Sequence, residues 1–420
     1  MSVHNKLVIG LFGFGVVGEG IYKVLKQTPT LNASIKKVCI KHANKKRDID
    51  DSKLTTDYDL LLEDPEINLV VELINDTDEA YKIVTKALKN GKNVVSANKK
   101  MIAENFEELV QLQDQYGVSF LYEAAVCGSI PIIRNLEEYY DNDLLQSVSG
   151  IVNGSTNYIL SKIATEGLSY SEALSRAQQL GFAESDPMLD VSGRDAVNKL
   201  SILLAHAYGL IVDPQKILYS GITHLQEADA AFAKEKSYKI KLVAQANKLS
   251  NGKVSAFVLP QFVPVDSQLY NVSDEYNGVI VESKLADKQF LYGKGAGRYP
   301  TSSAVISDIS ALQYQYKYEY KKLKRRDNSS LFSNIFLKVY VSFNNWSEIN
   351  KWDFEQVLEF HSTEKRQYLI GVIHMEKLLH STWFTDPLVS VILWPGGIIE
   401  QDAIITNSLK KVSLQLAGII

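Results

Sequence analysis

Along the first third of the chain, short apolar runs alternate with stretches in which apolar residues recur every three or four positions. Residues 6–12 read as a strand, 16–25 as an amphipathic helix, 35–40 as a second strand and 68–74 as a third. Residues 80–89 have a helical period, and 93–96 and 119–122 read as further short strands. Each of these strands is nearly all apolar, as burial on both faces requires. Alternation with helices therefore predicts a parallel sheet covered on both sides, an α/β domain. From about Ser147 the texture changes. Residues 148–152 and 254–259 read as strands beside longer helical patterns at 171–180 and 194–208, which predicts an α+β second domain. Residues 314–326 are rich in Tyr, Lys and Arg and read as a solvated linker rather than a phosphate-binding patch. All 4 tryptophans lie beyond it, which predicts a separate third module.

Charge and composition narrow the class. No apolar run approaches the roughly 18 residues of a membrane span, and a formal charge of −4 argues against nucleic acid as a main partner. The 2 cysteines, Cys39 and Cys127, lack metal-ligand spacing, which predicts neither a zinc site nor a disulfide framework. Polar residues 1–6 lead into a strand with no signal-peptide pattern, so a cytoplasmic enzyme without membrane association is expected.

The first strand ends in Gly13-Phe14-Gly15-Val16-Val17-Gly18, a G-x-G-x-x-G turn opening a helix. That pattern suits a dinucleotide. The glycines allow a tight turn, close approach of a pyrophosphate and close helix–strand packing, and the helix N-terminus supplies N–H donors. An NAD-selective site would carry Asp or Glu at the end of the second strand, to hold the ribose 2′-hydroxyl. Here that strand runs into Lys41-His42-Ala43-Asn44-Lys45-Lys46-Arg47, without a carboxylate. NADP (as NADPH) is therefore expected to be preferred, with NAD as the alternative.

Three further segments carry polar chemistry. Ser96-Ala97-Asn98-Lys99-Lys100 follows a strand directly, and residues 150–158 form a Gly-containing turn opening a helix. Residues 181–200 crowd carboxylates and a lysine around a helix start. Asp195 and Lys199 stand at i and i+4 on that helix and share a face. The apolar run that follows implies burial, and a buried Asp–Lys pair is costly unless it serves function.

These segments, in this order, resemble the homoserine dehydrogenases. So do Tyr122-Glu123-Ala124-Ala125-Val126-Cys127-Gly128-Ser129-Ile130-Pro131 and the late loop Gly295-Ala296-Gly297-Arg298. The resemblance covers residues 6–312. It implies reversible reduction of aspartate 4-semialdehyde to homoserine, a step of threonine and methionine biosynthesis, by a homodimer or homotetramer. Lys199 matches the family's proton donor, Asp195 its neighbouring acid and Lys99 the lysine of the cofactor-side strand. Glu184 and Asp190 match the carboxylates that take the substrate's ammonium group, and Gly154 and Ser155 the turn that receives it. Gly13 to Gly18, Lys41, Ser96, Lys99 and Gly295 are the expected cofactor contacts. Glu123, with backbone groups of Val126, Gly128 and Ile130, matches a monovalent-cation loop suited to sodium. One side chain plus carbonyls favours such a hard cation over zinc.

The expected domains are thus a Rossmann-type 1–130, with 293–320 returning to it, a catalytic and dimerisation domain at 131–320, and a module at 330–420. The last resembles the family's ACT domain, a small βαββαβ fold, with strands at 336–343, 368–373 and 389–393 and a helix at 374–380. Its ligand loop is missing, Asn344-Asn345-Trp346-Ser347 standing there, so it is expected to pack against a partner subunit and not to sense threonine. His361, His374 and His380 read as structural. Where the family carries a pair of glycines after the third strand, this chain has Asn75-Asp76-Thr77-Asp78, which is expected to alter cofactor affinity or choice. The rival readings are a dehydrogenase for another amino-acid semialdehyde and an NADP-binding sensor without turnover.

Overall fold

Six short strands line up in parallel to build the first sheet. They are β1 (Leu7–Phe12), β2 (Ala33–Cys39), β3 (Leu54–Thr55), β4 (Leu69–Glu72), β5 (Asn93–Ser96) and β6 (Phe120–Leu121), in the spatial order β3-β2-β1-β4-β5-β6. The computed structural model describes residues 6–142, 144–325, 331–363 and 366–400. Every residue of β4 is buried, as continuous apolar strands in a doubly covered sheet require. The order reverses between β1 and β4, which opens a crevice at their carboxyl ends, the usual ligand position in such sheets.

This sheet belongs to a unit drawn from Met1–Leu145, Asn198–Gln215 and Leu291–Asn328. The helix Arg298–Leu312 lies on the helix Val16–Gln27 that follows β1, so closely that a Cβ at Gly20 would stand 2.5 Å from Ser302 Oγ. Residues 314–325 overturn the linker expectation. Tyr318 and Tyr320 are buried, and the Tyr320 hydroxyl meets that of Tyr122 at 2.9 Å. Tyr122 also reaches His206 Nε2 (2.9 Å), whose Nδ1 faces Glu137 (2.8 Å), and Glu137 accepts the Tyr320 N–H (2.6 Å). Lys322 donates to the carbonyls of Leu136 (2.7 Å) and His206 (2.9 Å). The segment is a strap built into the core of this unit.

The second unit comprises Gln146–Val197, Lys216–Phe290 and Ser329–Ile420. Its strands are β7 (Leu145–Ile151), β8 (Leu218–Tyr219), β9 (Lys239–Lys248), β10 (Val254–Val263), β11 (Tyr276–Ser283), β12 (Asp287–Lys294), β13 (Ile335–Phe343), β14 (Phe354–Thr363), β15 (Arg366–His374) and β16 (Ser390–Glu400). They form one sheet in the order β12-β11-β7-β9-β10-β16-β13-β15-β14, with β8 on β10. The expected third module therefore does not stand apart. Its strands continue the preceding sheet through the β10–β16 pair, and Leu218, Phe257 and Leu259 share a buried cluster with Leu337, Val339 and Leu369. On the other face, Phe232 of the helix Glu227–Glu235 stacks on Tyr340 at 4.6 Å, and buried Asp229 accepts the Ser342 hydroxyl at 2.6 Å.

Within this part, β16-β13-β15-β14 pair antiparallel throughout, the ladder of a split βαββαβ sheet. The first helix of that pattern is replaced by the short turns Trp346–Glu348 and Lys351–Asp353. The second is the six-residue helix Met375–His380. No helix among the described residues is long and apolar enough to cross a membrane.

Candidate active site

At the end of β1 the glycine turn has the form its sequence requires. A Cβ at Gly18 would come within 2.3 Å of the Gly13 carbonyl, so only glycine lets helix and strand meet there. A Cβ at Gly15 would meet nothing within 4 Å, leaving the helix start open to an approaching group. Gly15 provides no side-chain cap to the helix Val16–Gln27, so its first-turn N–H groups remain available to an anion. Phe14 packs edge-on against Tyr22 (5.7 Å), and Val16 is exposed at the turn. Lys41, Lys45 and Lys46 are exposed after β2, while Arg47 folds back onto the carbonyls of His42 (2.9 Å) and Lys45 (2.6 Å). The glycine turn and the open helix start fit a dinucleotide.

Beyond the turn lies a pocket of ≈ 190 Å³ whose walls include Val17, Ile74, Ala97, Lys99, Lys199 and Gly295. It brings together the two lysines that the sequence singled out and the late glycine loop. That loop rests on the segment after β6, since Ser129 donates through its N–H (3.1 Å) and its hydroxyl (3.0 Å) to the Lys294 carbonyl.

Ser96, expected at the cofactor, is placed differently. It is fully buried, and its hydroxyl donates to Glu72 Oε2 (2.6 Å) and accepts the Asn98 N–H (3.1 Å). The reason is Glu72, a carboxylate at the end of an apolar strand, which also accepts the Ile74 N–H (2.6 Å). Burial pushes the Glu72 carboxyl up to about 7, against the hydrogen bonds that favour its charged form. Asn98 caps the helix Lys99–Glu104 by accepting the Met101 N–H at 3.0 Å, which starts that helix at Lys99. The departure at 75–78 also has a structural reason: Asn75 lines the pocket, and Asp76 caps the helix Thr77–Lys89.

The Glu123 side chain does not fit the expected cation set. Its carboxylate accepts the N–H groups of Ile133 (2.8 Å) and Arg134 (2.9 Å). Burial and neighbouring Asp308 push it up to about 8. Asp308 accepts the Glu123 N–H (2.9 Å) and pairs with Arg134 (2.6 Å). Val126, Gly128 and Ile130 lie in the loop between, where Gly128 has φ +52. Among the described residues no group of three or more His, Cys, Asp or Glu is arranged to hold a metal ion.

In the second unit the polar turn centres on Asn153, which the motif contained but whose role was missed. Its Oδ1 caps the helix Gly154–Glu166 through the Thr156 N–H (2.8 Å), and its Nδ2 donates to Asp190 (2.7 Å) and Asp195 (2.8 Å). A capping Asn before a helix start was the available signal; its two carboxylate partners were not readable. Gly154 presses against the Glu275 carbonyl, where a Cβ would stand at 2.6 Å, and Ser155 donates to the Phe182 carbonyl at 2.5 Å. Glu184 is exposed on the following loop. The helix Arg194–Tyr208 starts in this unit and ends in the other. Asp195, 1% exposed, and Lys199, 7% exposed, are one turn apart on it, about 6 Å along its axis.

Comparison with known proteins identifies the family. The chain matches the homoserine dehydrogenase family over residues 131–310, and the NAD-binding domain of homoserine dehydrogenase over residues 13–123. A homoserine dehydrogenase of Bacillus subtilis is 34% identical over 352 residues, covering 79% of this chain and 81% of that protein. The crystal structure of a homoserine dehydrogenase from Thiobacillus denitrificans superposes with a TM-score of 0.82 at 27% identity, covering 93% of this chain and 98% of that one. A hyperthermophilic archaeal homoserine dehydrogenase mutant, solved with NADPH, gives a TM-score of 0.63 at 25% identity, covering 75% of this chain and 100% of that one.

Proposed function

The chain belongs to the homoserine dehydrogenase family and interconverts aspartate 4-semialdehyde and homoserine with a nicotinamide cofactor, and on that premise we propose how its residues divide the work. The cofactor, when bound, supplies or accepts the hydride. Lys199 gives a proton to the substrate's carbonyl oxygen as negative charge develops there, and its ammonium stabilises that charge. Asp195, one turn earlier on the same helix, directs Lys199, and Lys99 adds a second positive group. Glu184 and Asp190 hold the substrate's ammonium, and the helix start at Gly154 and Ser155 receives the substrate through first-turn N–H groups. The observation that supports this most is the pocket shared by Lys99, Lys199 and Gly295 beside an uncapped helix N-terminus.

Preference for NADPH follows from Lys41, Lys45 and Lys46 standing where an NAD-selective chain would carry a carboxylate. A monovalent cation at 123–130 would rest on main-chain carbonyls, because the Glu123 carboxylate already serves two N–H donors. The C-terminal strands are a remnant of an ACT-like fold that lies against a partner copy in a homodimer or homotetramer, in the cytoplasm, and does not sense threonine. Inhibition of the full-length chain by millimolar threonine would sink that last reading.

The deciding experiment is oxidation of NADPH in the presence of aspartate 4-semialdehyde, repeated with NADH. Faster turnover with NADPH is expected. Faster turnover with NADH would leave the activity standing and remove the argument from the lysine loop.

A further inference from the structure

Glu72 is an expensive residue to leave where it is. It ends an apolar strand, is fully buried, and has no cation within ion-pair distance among the described residues. Leucine would fill such a site without the penalty of burying a charge. The carboxylate closes a ring instead. Its Oε1 accepts the Ile74 N–H and its Oε2 the Ser96 hydroxyl, both at 2.6 Å. Ser96 Oγ accepts the Asn98 N–H (3.1 Å), and Asn98 Nδ2 returns to the Ile74 carbonyl (3.1 Å). What the ring joins is the pocket wall: Leu73, Ile74 and Asn75 follow β4, while Ala97 and Lys99 follow β5. Asn98 also caps the helix whose first residue is Lys99. The ladder's own backbone bonds reach past β5 only as far as the Ala97 N–H, which donates to the Glu72 carbonyl (3.2 Å); beyond that point the side-chain ring joins the two loops.

Resting on the dehydrogenase reading of Lys99 and Lys199, we propose that Glu72 is a positioning residue for hydride transfer. Bonded to Ile74 and Ser96, it fixes the separation of the two loops and thereby the place of Lys99 in the pocket. The ionised carboxylate is suited to this because both its oxygens only accept, and the ring aims a donor at each. Glutamine has the same shape and the wrong polarity on one side. Its amide would aim N–H at Ser96, whose own hydroxyl would then lose its acceptor.

Glu72→Gln and Ser96→Ala test this from both sides of the Oε2 bond. In the protein without cofactor, hydrogen–deuterium exchange is expected to speed up at the amides of Ile74 and Asn98, with the rest of the sheet unchanged. Turnover should fall at least about tenfold, the scale on which small displacements of reacting groups act. The NADPH dissociation constant should stay within about threefold, since the glycine turn dominates dinucleotide binding. The isotope effect on turnover with C4-deuterated NADPH should rise, because a misplaced site makes hydride transfer more limiting. The double variant should be no worse than the poorer single one, as expected of partners in one network.

Wild-type turnover in both variants would overturn the proposal. So would a loss that only tracks a lower melting temperature, with an unchanged isotope effect and exchange raised across the whole sheet. If Glu72→Gln does not fold, Ser96→Ala alone decides by the same readouts. A wild-type chain inactive on aspartate 4-semialdehyde with either cofactor would sink the functional reading instead. The exchange experiment would then still decide whether the ring holds the loops.

Discussion

Lys199 is nearly buried on a helix whose following residues, Leu200 to Leu204, are buried too, so the ammonium depends on a few fixed neighbours. Lys199→Ala is expected to lower turnover at least about a hundredfold, the scale of a lost general acid. Its NADPH dissociation constant, read by fluorescence titration, should change little; near-normal turnover would refute the assignment. Asn153→Ala removes a helix cap, worth about 1 kcal/mol, and withdraws the donor shared by Asp190 and Asp195. A lower melting temperature together with a higher KM for aspartate 4-semialdehyde is expected, and an unchanged KM would separate Asn153 from substrate binding.

Lys241 makes a pH prediction. It is buried on β9, donates to Asn157 Oδ1 (2.9 Å) and the Val272 carbonyl (2.5 Å), and burial pushes its ammonium down to about 7. Above that pH the unfolded chain binds the proton and the folded one does not, so stability should rise with pH from about 7 to about 10. Urea titrations of the wild type and Lys241→Met should show this as a growing difference; a difference flat with pH would refute it. At this scale the sequence revealed residues whose chemistry is carried by spacing, such as Asp195 with Lys199 and the glycines at 13, 15 and 18. Glu72 was hidden because its meaning lies in Ser96, which ends a neighbouring strand, and Asn98, which caps the helix after it.

Among the elements, the strap at 314–325 departs most plainly from its sequence reading. Its run of lysines and arginines suggested solvent, yet Tyr314, Tyr316, Tyr318 and Tyr320 alternate, and alternate residues of an extended chain share a side. The last three of these lie inward, and the first is exposed. Lys322→Met would leave the carbonyls of Leu136 and His206 without that donor. A stability loss of about 1 kcal/mol is expected for leaving these part-buried acceptors unmet, measured by denaturant unfolding; no loss would return the strap to the status of a linker. Of the C-terminal strands, 336–343 and 368–373 lie near the observed bounds, 389–393 covers only the start of β16, and β14 is not foreseen because nearly all its residues are exposed and leave no apolar signature. Their membership in the larger sheet was not readable, since a single β10–β16 pair makes the join. Deleting residues 330–420 should uncover Leu218, Phe257 and Leu259 and give an insoluble chain. A soluble, fully active truncation would contradict the shared core.

For the whole molecule, the parallel sheet was the easiest feature to foresee, because strands buried on both faces leave a nearly pure apolar signature. The division into units was harder, because the chain leaves the first unit and returns to it twice. That routing has a consequence for how the protein is born. Ribosomes release a chain from its N-terminus, and domains ordinarily fold as they emerge. Here the hydroxyls of Tyr122 and Tyr320 that meet in the first core are separated by 198 positions in sequence. The nucleotide-binding half must therefore wait, incomplete, while most of the polypeptide is still being made. Nascent chains arrested with residue 300 just outside the tunnel should be cut readily by protease within residues 1–145, and those arrested beyond residue 330 should resist. Until then, the oldest part of the chain is the part most in need of a chaperone.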